Sequence, residues 1–464
     1  MARPVQLSRE NLLSILMLRG PISATDLATT LGVNRTTIVR AIGDLGRRVS
    51  VFGATRSTRY AVRRPVRNAG DRWPIYRITE SGQAQAWAEV ESLHDRRWRI
   101  LWAGPPPAWA RHFSDREGLW DGYPFFLGDI RPQGFIGRAI AGRMSNILQV
   151  PANPQTWSDD DTMIYLQAAG EDLPGSLVVG DDCLRRALQQ ALTPLPENLI
   201  PTAAIAERYA ALADHTARTL PGSSAGGEQP KFLATLTDES GALTPVLVKF
   251  SPPLDQPTGR RWADLLSAEC LAHEILAEQD LAAPGVRIID AAGRRFLEVP
   301  RFDRTAVGGR CGVVSLEALH NSASGATQRH WPDAVQELIG EGLTDPASLT
   351  TARRLHAFGE LIGNSDMHHG NFAFWMDDAL PFRPAPSYDM LPMLWSPGPQ
   401  GEIIGRRFAP APPLPAALES WQEAAAWATD FWQRVAADPR LSPAFAVTAE
   451  AAAATVQRLR DRLG

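Results

Sequence analysis

The chain has 464 residues, of which 44% are apolar and 21% charged, with a formal net charge of −4. That length is too great for one ordinary core and predicts two or three domains, and the balance excludes disorder or fibre as a description of the whole chain. No apolar run approaches the roughly 20 residues that span a bilayer, and the N-terminus lacks a secretory-signal layout, so a cytoplasmic protein with no membrane partner is expected.

The charge is unevenly spread. Residues 1–75 carry thirteen Arg against only Glu10, Asp26, Asp44 and Asp71, a basic head on an acidic body, which makes DNA a reasonable partner. In that head Leu12, Leu13, Leu16 and Met17 form a helical stripe ended by Gly20 and Pro21. Ser23 and Asp26 then cap a short helix that closes at Gly32, and Asn34 caps a second over RTTIVRAIGDLG. Helix, tight turn, helix is the helix-turn-helix arrangement. The alternation in VSVFGATRSTRYAVR predicts a hairpin turning over residues 53–57, so the head reads as a winged helix-turn-helix domain over residues 1–75. Arg35, Thr36, Thr37 and Arg40 fall on the recognition helix, and Arg56 and Arg59 on the wing. Short polar side chains with cationic flanks suit a major-groove helix, although a packing module would carry the same residues as solvated surface.

From about 71 to 215 the sequence is rich in Trp, Pro and Gly and gives no mechanism; short strands and helices with proline-marked turns are expected, as a subdomain over 76–215. Cys183, Cys270 and Cys311 are odd in number and lack CxxC spacing, which predicts buried thiols in place of disulfides or a zinc site. The Ala-rich stretch near 446–454 predicts a helix.

The chemistry is concentrated in residues 216–464. Among 47 basic residues only Lys231 and Lys249 are lysine, and a chain that otherwise uses arginine keeps lysine where a compact ammonium is needed. The stretch PGSSAGGEQPKF is a Gly/Ser loop able to bring backbone N–H groups to phosphate oxygens, with Gly226, Gly227, Gln229 and Lys231 as candidate nucleotide contacts. It has neither Walker A nor GxGxxG spacing, and an ordinary surface loop looks similar. TPVLVKFSPP puts Lys249 at the end of a β-branched run, the place of a phosphate-bridging lysine, and Glu269 on the helix that follows is the best candidate to pair with it. In GNSDMHHGN, Asp366 and Asn371 have the D-x-x-x-x-N spacing of a kinase catalytic loop: a base for the acceptor hydroxyl and, one loop turn on, an amide for magnesium. His368 hydrogen-bonds within the loop while His369 points elsewhere; a transition-metal site is the rival reading of these groups. Asp389 in PSYDMLPM follows where a second metal-binding acid would come after a short hairpin. FLEVPRFDR, with Pro300 and Phe302, is placed to connect two lobes and offer backbone groups to adenine.

Taken in order, PFFLGDIRPQGF, SSAGGEQPK, LVKF, PRFDR, GNSDMHHGN and YDML resemble the HipA family of bacterial serine/threonine kinases, nearest to its YjjJ-type subgroup with an N-terminal DNA-binding domain. The resemblance covers about residues 95–395. It implies Lys249 on ATP phosphates, Asp366 as base, Asn371 and Asp389 on magnesium, and Ser224 or Ser223 as a site of inactivating autophosphorylation. Pro300 stands where relatives usually have Glu, and the DNA-binding head is fused where HipA-type toxins usually rely on a separate antitoxin.

The expectation is therefore an α+β, two-lobed kinase-like body with a mostly helical second lobe and an N-terminal winged helix-turn-helix, using ATP and Mg2+. Its partners would be DNA, a protein substrate, and a homodimer mate or antitoxin-like protein. The alternatives are a small-molecule kinase of the aminoglycoside phosphotransferase type, whose HGDLHxGN loop is similar to GNSDMHHGN, and a DNA-binding repressor with a nucleotide-sensing body.

Overall fold

The computed structural model describes residues 7–194, 199–219, 229–325 and 330–463. At the N-terminus, helix α1 (Arg9–Arg19) is capped by Ser8 and buries Leu12 and Leu16, one turn apart. Strand β1 (Ile22–Ser23) leads to α2 (Ala24–Leu31), where the Ser23 hydroxyl accepts the Asp26 N–H at 3.1 Å and Gly32 ends the helix at φ +65°, a left-handed turn that suits glycine. Helix α3 (Arg35–Leu45) turns Ile38, Ile42 and Leu45 inward. Asn34 holds the N-cap position, but its side chain makes no capping bond, contrary to expectation. Strands β2 (Val49–Phe52) and β3 (Arg59–Val62) form the wing hairpin, with β1 added on the β3 side. The head is thus the expected winged helix-turn-helix.

The Trp-rich segment is a five-stranded antiparallel sheet of β4 (Arg72–Ile78), β5 (Ala84–Ser92), β6 (Arg97–Trp102), β7 (Leu119–Asp121) and β8 (Leu177–Val179), in the order β7-β6-β5-β4-β8. Helices α4 (Ala110–Phe113), α5 (Phe125–Asp129), α6 (Gly134–Leu148), α7 (Asp159–Ala169) and α8 (Asp181–Leu192) accompany it. Its tryptophans are core: Trp73, Trp98 and Trp109 are essentially inaccessible to solvent. Strand β4 runs through the 75/76 point at which the composition suggested a boundary.

A second five-stranded sheet holds β9 (Leu199–Pro201), β10 (Lys231–Thr237), β11 (Leu243–Phe250), β12 (Arg287–Ala291) and β13 (Arg294–Pro300), in the order β12-β13-β11-β10-β9. Helix α9 (Ile205–Thr219) packs Tyr209 and Ala213 against Phe232, Phe250 and Phe296 of this sheet. The lobe therefore begins at β9, ahead of residue 216, because β9 pairs in parallel with β10. Helix α10 (Pro257–Glu278), with a long buried face, crosses behind it.

The other lobe is mostly helical: α11 (Leu316–Ser324), α12 (Trp331–Gly340), α13 (Pro346–Ile362), α14 (Leu418–Ala437) and α15 (Pro443–Leu463) surround a small sheet of β14 (Val313–Ser315), β15 (Ala373–Trp375) and β16 (Arg383–Pro384). The Ala-rich stretch lies within α15, as expected. One hydrophobic cluster runs from the middle sheet into this lobe: the rings of Trp109 and Phe382 are 6.3 Å apart, and the Trp109 indole donates to the Asp377 carbonyl at 2.9 Å. Cys183 and Cys270 are buried, whereas Cys311 is only half-buried.

Candidate functional site

The ladder between β10 and β11 sets Lys231 directly opposite Lys249. Like charges across a strand pair repel, and here two acids compensate. The Lys249 ammonium, buried at the end of its strand, donates to Glu269 on α10 and, at 2.6 Å, to Asp389. Burial alone would lower the Lys249 pKa, but the two carboxylates outweigh it and raise it. For Asp389 burial acts upward and Lys249 and Lys231 downward, and the cations win, so it is held well below the usual carboxylate range. Glu269 is raised, chiefly by burial, and its second oxygen has no partner among the described residues.

Below this trio lies the loop after α13. Gly363 closes the helix at φ +74° under the Trp395 ring, and Asn364 then accepts the Asp366 N–H at 3.0 Å and reaches the Asp389 carbonyl at 3.3 Å. Asn371 donates to the Asp366 carbonyl at 2.8 Å, the sequence spacing realised as one closed turn. His368 accepts the Gly370 N–H at 3.1 Å, and its own carbonyl takes the Trp331 indole at 3.0 Å. His369 is buried beside His320, 5.4 Å between rings, and still lines the cavity together with His368. The Asp366 side chain is left exposed to the cavity. Asp389 itself sits at φ +53°, a left-handed conformation that Asp tolerates better than most, and its neighbour Tyr388 donates to the Gly370 carbonyl at 2.6 Å.

A cavity of about 1200 Å³ joins these groups. It brings together Lys231, Lys249, Glu269, Asp366, His368, Asn371 and Asp389 with Gln229, Pro300 and Phe302. Strand β13 ends at Pro300, and Phe302 stacks on Tyr388 at 5.9 Å, so its ring is part of the cavity wall where only backbone contacts were expected. Gln229 is buried with its amide nitrogen unpartnered among the described residues. His273, one turn beyond Glu269 on α10, also lines the cavity, and burial, reinforced by Lys249, lowers it to about 4. Gly226, Gly227, Ser223 and Ser224 lie outside the described residues.

These groups fit a magnesium nucleotide. Asn371 and Asp389 would offer an amide and a carboxylate oxygen to magnesium, the remaining positions being left to phosphate oxygens and water, and Gln229 brings a buried donor with no partner among the described residues. Sequence reasoning missed Asn364 and Tyr388, whose roles depend on contacts with Asp389 and Gly370 that no local spacing reveals. It also missed the ion cluster in the cavity wall: Arg301 and Arg304 share Asp303 and Asp172, the last from the loop after α7. The RFDR run was legible as a motif, but the distant Asp172 was not.

On the head, Arg35, Thr36, Thr37 and Arg40 stand exposed on the outer face of α3, and Arg56 is exposed on the wing. Arg59 differs. It pairs with Asp115 at 3.3 Å, and the Gly53 N–H nearby donates to Glu117 at 2.7 Å, so this part of the wing is fastened to the middle sheet. Beneath it the buried Arg99 guanidinium bonds to Ser50 and to the Val51 carbonyl, both at 2.8 Å, and lies 4.1 Å over the Phe52 ring.

Three family models match the chain: an HTH domain over residues 8–49, the middle domain of YjjJ-like toxins over 69–188, and the HipA-like C-terminal domain over 223–463. The chain is 34% identical to Toxin YjjJ of Escherichia coli (strain K12), an alignment that covers 97% of this chain and 98% of that one. HipA of Shewanella oneidensis MR-1, solved with HipB and its operator DNA, superposes with a TM-score of 0.50 at 16% identity, over 84% of this chain and 96% of that one, a likeness of fold.

Proposed function

The chain belongs to the YjjJ-like toxins with a HipA-like C-terminal domain, and from that premise we propose that it is a magnesium- and ATP-dependent serine/threonine protein kinase that phosphorylates itself and a protein target, and binds DNA through its head. The observation that carries this reading is the sharing of Lys249 between Glu269 and Asp389 in the cavity that also holds Asp366 and Asn371. Lys249 and Gln229 would hold the phosphates, Asn371 and Asp389 the magnesium, and Asp366 would orient the acceptor hydroxyl and take its proton. Bound magnesium would supply charge neutralisation at the transferring phosphoryl group. The Asn364, Asn371 and His368 bonds hold the loop so that Asp366 needs no rearrangement to act.

The test is to incubate purified protein with magnesium and γ-labelled ATP beside Asp366→Asn and locate the label by mass spectrometry. Label on Ser223 or Ser224 that vanishes in the variant is the expected result. ATP binding without any label, in protein free of phosphate at the start, would turn the reading to a small-molecule kinase or a nucleotide-sensing repressor.

A further inference from the structure

The cavity is larger than the roughly 300–1,000 Å³ of an ordinary small-molecule site, and one of its walls is not made by the kinase-like body. The turn between α5 and α6 and the first turns of α6 bring Arg131, Gln133 and Arg138 of the middle domain to line it together with Asp366 and His368. This wall is fixed in place. The Asp129 carboxylate accepts the Ser315 N–H at 2.8 Å and the Ser315 hydroxyl, and Ser315 in turn caps α11 through the Ala318 N–H at 3.1 Å. Glu317, in the first turn of α11, reaches the catalytic loop: a β-carbon at Gly370 would lie 3.3 Å from its carboxylate. The turn is also packed tightly on its own helix, since a β-carbon at Gly137 would fall 2.5 Å from the Pro132 carbonyl carbon.

Most carboxylates near this wall are committed. Asp129 serves Ser315, and Asp172 and Asp303 serve Arg301 and Arg304. The Arg131 guanidinium makes no hydrogen bond or close ion pair with any described residue, its charge acting on Asp129 and Asp159 at longer range, and Glu317 lines the same cavity from α11.

Resting on the kinase reading, we propose that this middle-domain wall reads the protein acceptor, with Arg131 selecting a carboxylate side chain next to the serine or threonine presented to Asp366. A guanidinium with free donors in a partly enclosed cleft binds a carboxylate by charge-assisted, bidentate bonds. An extended acceptor also accounts for the excess volume, which a small alcohol would leave unfilled.

The experiment uses the full chain, magnesium and labelled ATP on a peptide library with one fixed Ser or Thr and randomised flanks, with ATP affinity titrated in parallel. The wild-type chain is expected to favour Asp or Glu at a flanking position by about tenfold, and Arg131→Glu to replace that preference by one for Lys or Arg while still binding ATP. If Arg131→Glu loses ATP binding through misfolding, Arg131→Gln takes its place and should flatten the preference. An acid preference absent in the wild type, or unchanged in either variant, overturns the assignment of Arg131 while leaving the kinase standing. No transfer to any peptide and no self-labelling would end the kinase reading, and this inference with it.

Discussion

Lys249 is held by two carboxylates of different character, and the difference decides what each substitution does. Asp389 is strongly ionised, whereas Glu269 is raised by burial and keeps one oxygen unpartnered among the described residues. Glu269→Gln is nearly isosteric and keeps an oxygen that can accept from Lys249, but it removes the charge and so biases Lys249 toward Asp389. Exchanging a charged acceptor for a neutral one predicts a rise of about tenfold in the KM for ATP, with little change in melting temperature. Steady-state kinetics beside a thermal melt check both, and a large loss of stability at constant KM would make Glu269 purely structural. Two histidines set a pH response of the fold. Burial lowers His273 to about 4, with Lys249 adding to it, and lowers His356 to about 4, with His330 adding. Both rings stay neutral where the unfolded chain, near 6.5, takes up protons, so stability falls as pH falls from about 6.5 toward 4. Each ring withholds up to about 3 kcal/mol across that window. Melting temperatures between pH 7 and 5 should decline, and His356→Gln should make the decline shallower. Equal slopes in the two proteins would remove His356 as a source.

Helix α3 and the wing, read from sequence as one DNA-binding surface, divide once their contacts are counted. Arg40 is exposed on α3 and available to DNA, whereas Arg59 is occupied by Asp115. Arg40→Ala is expected to weaken DNA binding and to reduce the slope of log K against log salt by about 1 if it contacts a phosphate. Arg59→Ala should leave that slope unchanged and cost at most about 1 kcal/mol of stability, the worth of an exposed ion pair. A salt titration of both variants separates them, and equal slopes would return Arg59 to the DNA surface. The same division explains what was legible beforehand. Caps such as Ser23 with Asp26, the Gly32 turn, and Asp366 with Asn371 are set by neighbours within five residues, so their spacing reveals them. Strand β9 pairs with β10 some thirty residues on, and the strands of the middle sheet are written in Trp and Pro as well as β-branched residues, so neither carries a local signature. Arg131 and Tyr388 became functional candidates only when the fold set them in the cavity with Asp366.

Across the whole molecule, the middle domain and the helical lobe share one core that extends from Val66 to Val456, while the head and the β9-to-β13 sheet have clusters of their own. The Asp172, Arg301, Asp303 and Arg304 cluster ties that shared core to the strand leading out of the sheet, at the cavity wall. Arg301, Asp303 and Arg304 are nearly inaccessible, and Asp303 is held well below the carboxylate range because the cations outweigh its burial. Removing one partner of a buried pair strands the other charge, so Asp303→Ala should cost about 3–5 kcal/mol. The more exposed pair of Arg77 with Asp378 also bridges the two parts, and Arg77→Ala should cost only about 1 kcal/mol beyond the packing of its side chain on Trp87. Because the core is shared, tryptophan fluorescence, which comes from the middle domain and the kinase-like body alike, should fall in a single transition that coincides with the loss of helical content in both variants. Were Asp303→Ala no more damaging than Arg77→Ala, the cluster would be a passenger. Were the two probes to separate, the middle domain would be an independent unit, and the placement of Arg131 in the cavity with Asp366 would depend on docking alone.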